Sequence, residues 1–360
     1  VLFFFPSAAD CLDLDSSIIP KQQLLAAESS ASDINLKEDD NEETQTTFVI
    51  MNIKNNTMHH HPAPPALTAV LRSKGGAIKV DTSQRLQTNQ IYEFGHMNEE
   101  INSERICPNL GEEIKLLILI TSAQAHSEAR MAIRQTWGHY GTRRDVSMAF
   151  VLGRNTNETL NLALTQENFI YGDLIRGHFI DSYNNLTLKT ISSLEWVNQH
   201  CSRAKFILKT DDDMFINVPK LLTFLNDHEK DNRTIYGRLA KQWKPIRNIK
   251  SKYYVSKEQF GEDEYPSFTT GPAYVLTRDV IKDLYVHSLQ HVYLKLEDVF
   301  TTGIVAEELK IQRIHANEFL NRRIAFNPCN IRKTISVHMI KSNEQFNLWR
   351  KLLDSTIKCK

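Results

Sequence analysis

The sequence shows no excess of charge of either sign. In 360 residues, 43 Lys and Arg balance 43 Asp and Glu. A general nucleic-acid binder normally carries a basic excess, so we expect no nucleic acid among the partners. The content of 41% hydrophobic and 24% charged residues is ordinary for a globular protein. A phosphate-bearing partner would therefore have to be held by local groups.

Aromatic residues are scarce in the first third of the chain. Between residues 6 and 110 the only aromatics are Phe48, Tyr92 and Phe94, whereas all four Trp lie beyond. This stretch is polar, is interrupted by proline and shows no sustained hydrophobic period, which is typical of disorder. We predict a mostly disordered stem over 6–110 and a folded domain over 111–360, long enough for a substantial core.

A long hydrophobic run is absent from the N-terminus. The first five residues, VLFFF, are apolar but too few to span a bilayer. The chain begins with Val rather than Met, and a long polar stretch follows. We therefore interpret residues 1–5 as the remnant of an N-terminal signal anchor, the alternative being an exposed hydrophobic stub.

No two cysteines stand in the CxxC spacing of a zinc or redox site. The five are Cys11, Cys107, Cys201, Cys329 and Cys359. An odd number leaves at least one unpaired, and Cys11 in the stem is the natural candidate. Spacing alone does not decide how the others pair.

Asn-x-Ser/Thr sequons occur at Asn55, Asn157, Asn185 and Asn232. A composition this rich in Asn, Ser and Thr would produce about as many by chance, so the sequons permit a secretory location without proving it. The glycosylation candidates in the folded domain are Asn157, Asn185 and Asn232.

From residue 115 onward, short apolar runs alternate with helical patterns. The apolar runs are KLLILITSA (115–123), VSMAFVLG (146–153), DLIRGHFID (173–181) and AKFILKT (204–210). Each has the length of a buried strand. The alternation predicts a doubly wound α/β sheet, in which ligands bind at the carboxyl ends of the strands.

Three consecutive aspartates follow the fourth of these strands. In an extended segment alternate residues point the same way, so Asp211 and Asp213 can share one side while Asp212 points away. Paired carboxylates at a strand end suit Mg²⁺ or Mn²⁺. The alternative is a solvated acidic turn in front of the next helix.

Five motifs then carry a resemblance to a known family. They are ARMAIRQTWG (129–138), KTDDDMFIN (209–217), YPSFTTGPAYVLT (265–277), LEDVFTTGI (296–304) and ISVHMI (335–340). In order and rough spacing they resemble the β-1,3-galactosyltransferase family, glycosyltransferase family 31, over about residues 110–360. The resemblance implies a GT-A-type glycosyltransferase fold, with a Rossmann-like central sheet flanked by helices. It also implies that the N-terminal half binds a UDP-sugar.

The activity implied by this resemblance is inverting and depends on Mn²⁺. Galactose would pass from UDP-galactose to the 3-hydroxyl of an acceptor sugar, in β linkage, on a glycoprotein or glycolipid. Asp213 is the best metal ligand, with Asp211 beside it, and the resemblance adds His338. Without the family, a His in an apolar segment would more often be a core residue.

An inverting transfer needs one base to deprotonate the acceptor hydroxyl. The motif match assigns Asp298 as this base and Glu297 as the neighbour to test. An ordinary helix N-cap is the alternative for Asp298. A helix N-terminus would lower the pKa of Asp298, so we expect it to be ionised.

The resemblance places the RxxxRxTW segment beside the nucleotide. Arg130 and Arg134 lie one helical turn apart and can share a face. We assign Arg134 first and Arg130 second to UDP binding, with solvated surface arginines as the alternative. Lys209 and Asp212 complete the predicted nucleotide-sugar site.

A loop for the acceptor or donor sugar is expected around residues 243–271. Gly271 would let the backbone approach a sugar closely. Tyr265 and Pro266 fit such a loop, and Trp243 could stack on a sugar ring.

The resemblance extends to family members that end in a cysteine. It makes Cys329–Cys359 a plausible disulfide, and Cys107 with Cys201 another.

Two alternatives to galactose transfer remain open at this point. The Asp-Asp-Asp triplet also occurs in relatives that use UDP-N-acetylglucosamine, whereas many galactosyl-transferring members have Asp-Ser-Asp. A non-catalytic sugar-binding homologue is disfavoured by the intact aspartates and His338. In either case the family implies a type II Golgi membrane protein with a luminal catalytic domain.

Overall fold

The computed structural model describes residues 85–97 and 99–359, together with two short strands nearer the N-terminus. The chain divides into two compact units, Val1–Ala69 and Val70–Lys360. In the first unit, β1 (Thr47–Met51) pairs antiparallel with β2 (Met58–Pro62). Residues 1–5, Cys11 and Asn55 lie outside the described residues, and so do the predictions made for them.

The larger unit alternates strands and helices. Its strands are β3 (His96–Met97), β4 (Leu116–Thr121), β5 (Val146–Arg154), β6 (Leu174–Ile180), β7 (Phe206–Asp211), β8 (Phe215–Ile216), β9 (Thr234–Ala240), β10 (Phe268–Thr277), β11 (Gln312–His315) and β12 (Ser336–Val337). Its α-helices are α1 (Glu99–Ile106), α2 (Ser127–Arg134), α3 (Glu158–Tyr171), α4 (Leu186–His200), α5 (Val218–Asp227), α6 (Ile281–Ser288), α7 (Ala306–Glu308), α8 (Pro328–Lys333) and α9 (Ser342–Leu353). A π-helical segment, Val299–Val305, runs directly into α7. Short 3₁₀ turns lie at Thr88–Gln90, Pro108–Gly111, Trp137–Thr142, Tyr183–Asn185 and Arg278–Val280.

Eight strands form one central sheet in the order β11-β9-β10-β7-β4-β5-β6-β3. β4 is parallel to both neighbours, β5 on one side and β7 on the other. The chain therefore adds β5 and β6 on one side of β4 and then crosses back to add β7 on the other side. The expected mostly parallel, Rossmann-like sheet flanked by helices is confirmed, and its switch point, where ligands bind in such sheets, lies between β4 and β7.

The continuous apolar run of β4 reflects burial on both faces. Leu117 and Leu119 belong to one hydrophobic cluster, which includes residues of α4. Ile118 and Ile120 belong to the other, which includes residues of α2 and α5. Because both faces are covered, no polar position alternates along the strand.

Residues 85–97 pack within the larger unit, although the predicted stem includes them. Tyr92 is buried and its hydroxyl donates to Glu195 of α4 at 2.6 Å. Thr88 donates its N–H to the carbonyl of His291. The stem boundary itself stays a prediction.

Two disulfides tie the larger unit together. Cys107 is bonded to Cys201 and Cys329 to Cys359, as the resemblance implied. Within the part of the chain that the structure describes, no helix is both long and apolar enough to cross a membrane.

Candidate active site

The carboxyl ends of β4 and β7 meet at the switch point, where Thr121 pairs with Asp211. Asp212 is buried and turns toward the loop that follows β4. Its Oδ2 accepts from the Ser122 hydroxyl at 2.7 Å and lies 2.8 Å from His126 Nδ1. Asp212 lies in the turn after β7 and fixes the end of that strand to the loop after β4. Its role in nucleotide-sugar binding stays a prediction.

Asp211 faces a buried lysine on its own strand. Lys209 Nζ donates to Asp211 Oδ1 at 2.7 Å and to the carbonyl of Gly271 at 2.9 Å, and lies 3.2 Å from Glu297 Oε1. Burial alone would lower the pKa of Lys209, but the charges of Asp211 and Glu297 outweigh it and raise that pKa. Lys209 is therefore a charged internal counter-ion.

Glu297 lies beneath the surface of the site. Its Oε2 accepts from the Thr190 hydroxyl at 2.9 Å and from the Tyr274 hydroxyl at 3.1 Å. With its other oxygen beside Lys209, Glu297 has no exposed carboxylate to offer a substrate. These contacts place Glu297 behind the site rather than at its surface, and its catalytic role stays a prediction.

Asp298 is the partly exposed carboxylate of this pair. It is the N-cap of the π-helical segment: Oδ1 accepts from the N–H of Val299 and Oδ2 from the N–H of Gly271, both at 2.9 Å. The expectation of a lowered pKa is wrong. Burial raises the pKa of Asp298, and this outweighs the two N–H donors that lower it. A carboxyl with a raised pKa accepts a proton more readily near neutral pH.

Gly271 lets the backbone approach these carboxylates. A Cβ placed on it would lie 3.0 Å from Glu297 Oε1 and 3.3 Å from Asp298 Oδ2. The small residue is thus required for the hydrogen bond that orients Asp298. A direct approach to a sugar, predicted for Gly271, stays a prediction.

Two of the predicted metal ligands flank the adjoining two-stranded sheet, since Asp213 precedes β8 and His338 directly follows β12. β8 pairs with β12, which brings His338 Nε2 to 3.3 Å from Asp213 Oδ2. Burial would lower the pKa of His338, but the hydrogen bond to Asp213 and its charge raise it. Asp213 remains about half exposed, so this pair faces the open side of the site.

Asp213 and His338 are chemically suited to a divalent cation. Carboxylate oxygen is the ligand type that Mn²⁺ and Mg²⁺ share, and imidazole favours a transition metal over Mg²⁺. One oxygen of Asp211 is held by Lys209, and its role as a metal ligand beside Asp213, directly or through water, stays a prediction. Within the part of the chain that the structure describes, no group of three or more His, Cys, Asp or Glu is arranged to hold a metal.

Comparison with known proteins assigns the family. The galactosyltransferase family model matches residues 128–317. Beta-1,3-galactosyltransferase 1 of Mus musculus is 36% identical over 237 residues, which is 65% of this chain and 72% of that protein. Beta-1,3-galactosyltransferase 5 of Pan paniscus is 38% identical over 242 residues, 66% and 80% respectively. The chain belongs to the galactosyltransferase family. It is a glycosyltransferase enzyme.

Comparison with solved structures gives matches of low TM-score. Galactosyltransferase LgtC with donor and acceptor sugar analogues gives a TM-score of 0.35 at 8% identity, covering 67% of this chain and 97% of that one. S. aureus TarS 1-349 with UDP gives 0.34 at 11% identity, covering 67% of each. The family assignment rests on the sequence matches.

The two predicted nucleotide-binding arginines lie in one network of carboxylates behind the site. Arg130 is fully buried, and its five N–H groups donate to Glu167 twice, to the Ser122 hydroxyl and to the carbonyls of Ala123 and Gln124. Arg134 donates to Glu167 and Asp173. These contacts use every N–H group of Arg130, which fixes the loop after β4. Among the described residues, Arg134 donates through Nε and Nη2 only, which leaves its Nη1 without an acceptor. Direct UDP binding by the two arginines stays a prediction.

The predicted sugar loop of the galactosyltransferase is only partly exposed. Trp243 is 52% exposed, with its ring edge-to-face on Phe268 at 5.5 Å. The N–H of Tyr265 donates to the Trp243 carbonyl at 2.8 Å. Tyr265 itself is buried, which raises the pKa of its phenol to about 12. Pro266 is half-buried. Of these residues, Trp243 offers the most surface to a ligand.

One sequon of the galactosyltransferase is inaccessible. Asn185 is buried, and its side-chain amide donates to the carbonyl of Ile180 at 2.8 Å. The prediction that Asn185 carries a glycan is therefore wrong for the folded chain. Asn157, which caps α3, and Asn232 are exposed.

Sequence reasoning missed the residues that support the galactosyltransferase site from below. Lys189 of α4 is buried, donates to the Ser122 carbonyl at 2.8 Å and pairs with Asp181 at 2.7 Å. Ser122 and His126 hold Asp212 from the loop after β4. Ser122 and His126 closely follow the buried strand β4, and this position was the signal from which the sequence could have identified them.

Proposed function

We propose that the chain is an inverting, Mn²⁺-dependent β-1,3-galactosyltransferase that transfers galactose from UDP-galactose to the 3-hydroxyl of a glycan acceptor. The observation that carries this is that two partly exposed features lie beside the switch point. One is the Asp298 carboxylate, oriented by Gly271 and Val299. The other is the Asp213–His338 pair.

In this proposal Asp298 accepts the proton of the acceptor hydroxyl while that oxygen forms a bond to the anomeric carbon. The bond from that carbon to the diphosphate oxygen breaks on the opposite face. Asp213 and His338 would hold the Mn²⁺, and His338 would lose its proton on binding it. When bound there, the ion supplies Lewis-acid stabilisation of the departing diphosphate. Lys209 keeps Asp211 and Glu297 in place.

The donor is proposed to be galactose because the relatives that match over most of their length are named beta-1,3-galactosyltransferases. The Asp-Asp-Asp triplet was the reason to consider UDP-N-acetylglucosamine as the donor. Its middle residue, Asp212, accepts a hydrogen bond from Ser122 and lies beside His126. UDP-N-acetylglucosamine remains the competing donor to be tested.

A luminal Golgi location with a type II anchor is part of this proposal. Two disulfides support it, because such bonds persist in oxidising compartments. A membrane partner through the N-terminus stays a prediction.

The test is transfer by the secreted full chain with UDP-galactose and UDP-N-acetylglucosamine offered in parallel to a panel of simple glycosides. Asp298→Asn and Asp213→Ala run alongside, with Mn²⁺ titrated after chelation. We expect galactose transfer that Asp298→Asn abolishes. Asp213→Ala should reduce transfer and raise the Mn²⁺ concentration needed for the half-maximal rate. If N-acetylglucosamine is transferred in preference to galactose, the proposed donor is wrong and the proposed site stands. Donor binding without transfer of either sugar would favour a non-catalytic homologue.

A further inference from the structure

The segment between β9 and β10 is strongly basic although the whole chain is neutral. Residues 241–257 contain no Asp or Glu. Their six basic residues are Lys241, Lys244, Arg247, Lys250, Lys252 and Lys257. β9 runs parallel to β7, so the segment leaves the sheet at the carboxyl edge, where the proposed active site lies.

The lysines of this segment are exposed, and within the described residues none of them forms an ion pair. The acidic residues that follow, at 258 and 262–264, are not paired with them either. Arg247 differs, since its guanidinium donates to the carbonyls of Val255, Ser256, Phe260 and Glu262 at 2.8–3.0 Å. Arg247 thereby holds the loop in one conformation, and the exposed lysines lie on an ordered surface.

Exposed aromatic side chains lie among the lysines of this segment. Trp243 is about half exposed, as are Tyr253 and Tyr183. Lys252 Nζ lies 4.8 Å from the centre of the Tyr253 ring and 5.5 Å from that of Tyr183. Rings and cations together offer apolar faces for a sugar and positive charge for its substituents.

This surface adjoins the proposed base. Ala240, just before Lys241, pairs with Phe268, and Phe268 precedes Gly271 by three residues. At about 3.3 Å per strand residue the separation along β10 is roughly 10 Å. Burial and the neighbouring Tyr253 raise the pKa of Tyr183. The negative charges of Asp298 and Asp211 raise it further.

The basic character continues beyond the loop into a cavity of about 520 Å³. Lys241, Lys310 and Arg313 line it, with Glu307 paired to Arg313. Lys241 belongs to both the loop and this cavity, so an acceptor with its reactive hydroxyl at Asp298 could extend past the loop to Lys241 and Lys310.

We propose that this surface, defined by Lys241, Trp243, Lys244, Lys250, Lys252 and Tyr253, selects acceptor glycans that carry negative charge near the sugar to be extended. The charge is a sulfate or a carboxylate on the acceptor. This inference rests on the proposed function and names the acceptor class that it left open.

The experiment compares matched acceptors with the full chain. A neutral glycoside is offered beside its 6-O-sulfated counterpart, and a neutral disaccharide beside one that contains a uronic acid. We expect kcat/KM to favour the charged member by roughly two- to fivefold at low salt. The preference should shrink at 0.5 M salt, because exposed charges are then screened.

Two variants assign the preference to the surface. Lys244→Glu combined with Lys250→Glu should abolish or reverse it, and the Gln pair should reduce it. Lys230→Glu is the control, since Lys230 is exposed but lies before β9, at the opposite edge of the sheet. The KM for donor and the rate of donor hydrolysis without acceptor should stay unchanged in all three.

Binding of the same acceptor pairs, measured by titration calorimetry with UDP present, separates this inference from the proposed function. Charge-selective binding without transfer supports the surface and overturns the function. Transfer without a charge preference, or a preference that survives Lys244→Glu with Lys250→Glu, overturns the surface and keeps the function.

Discussion

Three adjacent aspartates with the same chemistry have three different environments. Asp211 is held by Lys209, Asp212 by Ser122 and His126, and Asp213 faces His338. The alternation of an extended segment predicted that Asp212 would point away from the other two. It could not predict the partners, because Ser122 is 90 residues from Asp212 and becomes its neighbour only when β4 pairs with β7.

Asp298 should govern the acid limb of the pH–rate profile. The base must be ionised, and burial raises the pKa of Asp298. Activity should therefore fall, as pH decreases, at a higher pH than an ordinary aspartate would require. Asp298→Asn should lower kcat by roughly 10²- to 10⁴-fold and remove this limb. The measurement is kcat against pH at saturating donor and Mn²⁺; an unchanged limb in the variant would assign it to another group.

Gly271→Ala should impair catalysis while leaving the fold intact. The added Cβ would crowd Glu297 Oε1 and Asp298 Oδ2 at 3.0 and 3.3 Å and disturb the hydrogen bond to Asp298. We expect kcat to fall about tenfold or more, since a small misplacement of a reacting group is costly. In the control, Gly261→Ala, the Cβ meets only the Lys257 carbonyl at 3.7 Å. Equal activity of the two variants would contradict the positioning role of Gly271.

At the scale of the element, the hydrophobic pattern predicted the four core strands well. The run expected at 115–123 is β4 at Leu116–Thr121, and that at 204–210 is β7 at Phe206–Asp211. The roles of Arg130 and Arg134 on α2 were not accessible in this way. Their partner Glu167 lies on α3, 37 and 33 residues away, and only the packing of α2 against α3 makes the arginines internal.

Removing Arg130 should destabilise the whole unit rather than merely weaken nucleotide binding. Arg130→Met leaves Glu167 with one fewer buried partner and frees the carbonyls of Ala123 and Gln124. Breaking a buried ion pair from one side costs about 3–5 kcal/mol. Arg143→Met, which breaks the exposed pair with Asp145, should cost about 1 kcal/mol or less. Urea unfolding of both variants measures the difference, and similar losses would contradict the buried network.

For the molecule as a whole, the sequence indicated a stem and a folded domain from composition alone. That criterion overlooks residues 85–97, because a single buried aromatic such as Tyr92 can anchor a polar segment. The disulfide pairing came from the resemblance, since spacing left it open. The two bonds differ in burial: Cys107 and Cys201 are in the core, whereas Cys359 is exposed.

This difference predicts stepwise reduction. Mild thiol should open Cys329–Cys359 first, while Cys107–Cys201 stays protected until the unit unfolds, as followed by alkylation and mass spectrometry. Loop closure argues the same order for stability. The double variant Cys107→Ala, Cys201→Ala removes a bond between cysteines 94 residues apart and should lower the free energy of unfolding by about 4–5 kcal/mol. Removal of Cys329–Cys359, whose cysteines are 30 residues apart, should lower it by about 3–4 kcal/mol. If the core bond were reduced first, or if its loss left urea unfolding unchanged, the protection inferred from burial would be wrong.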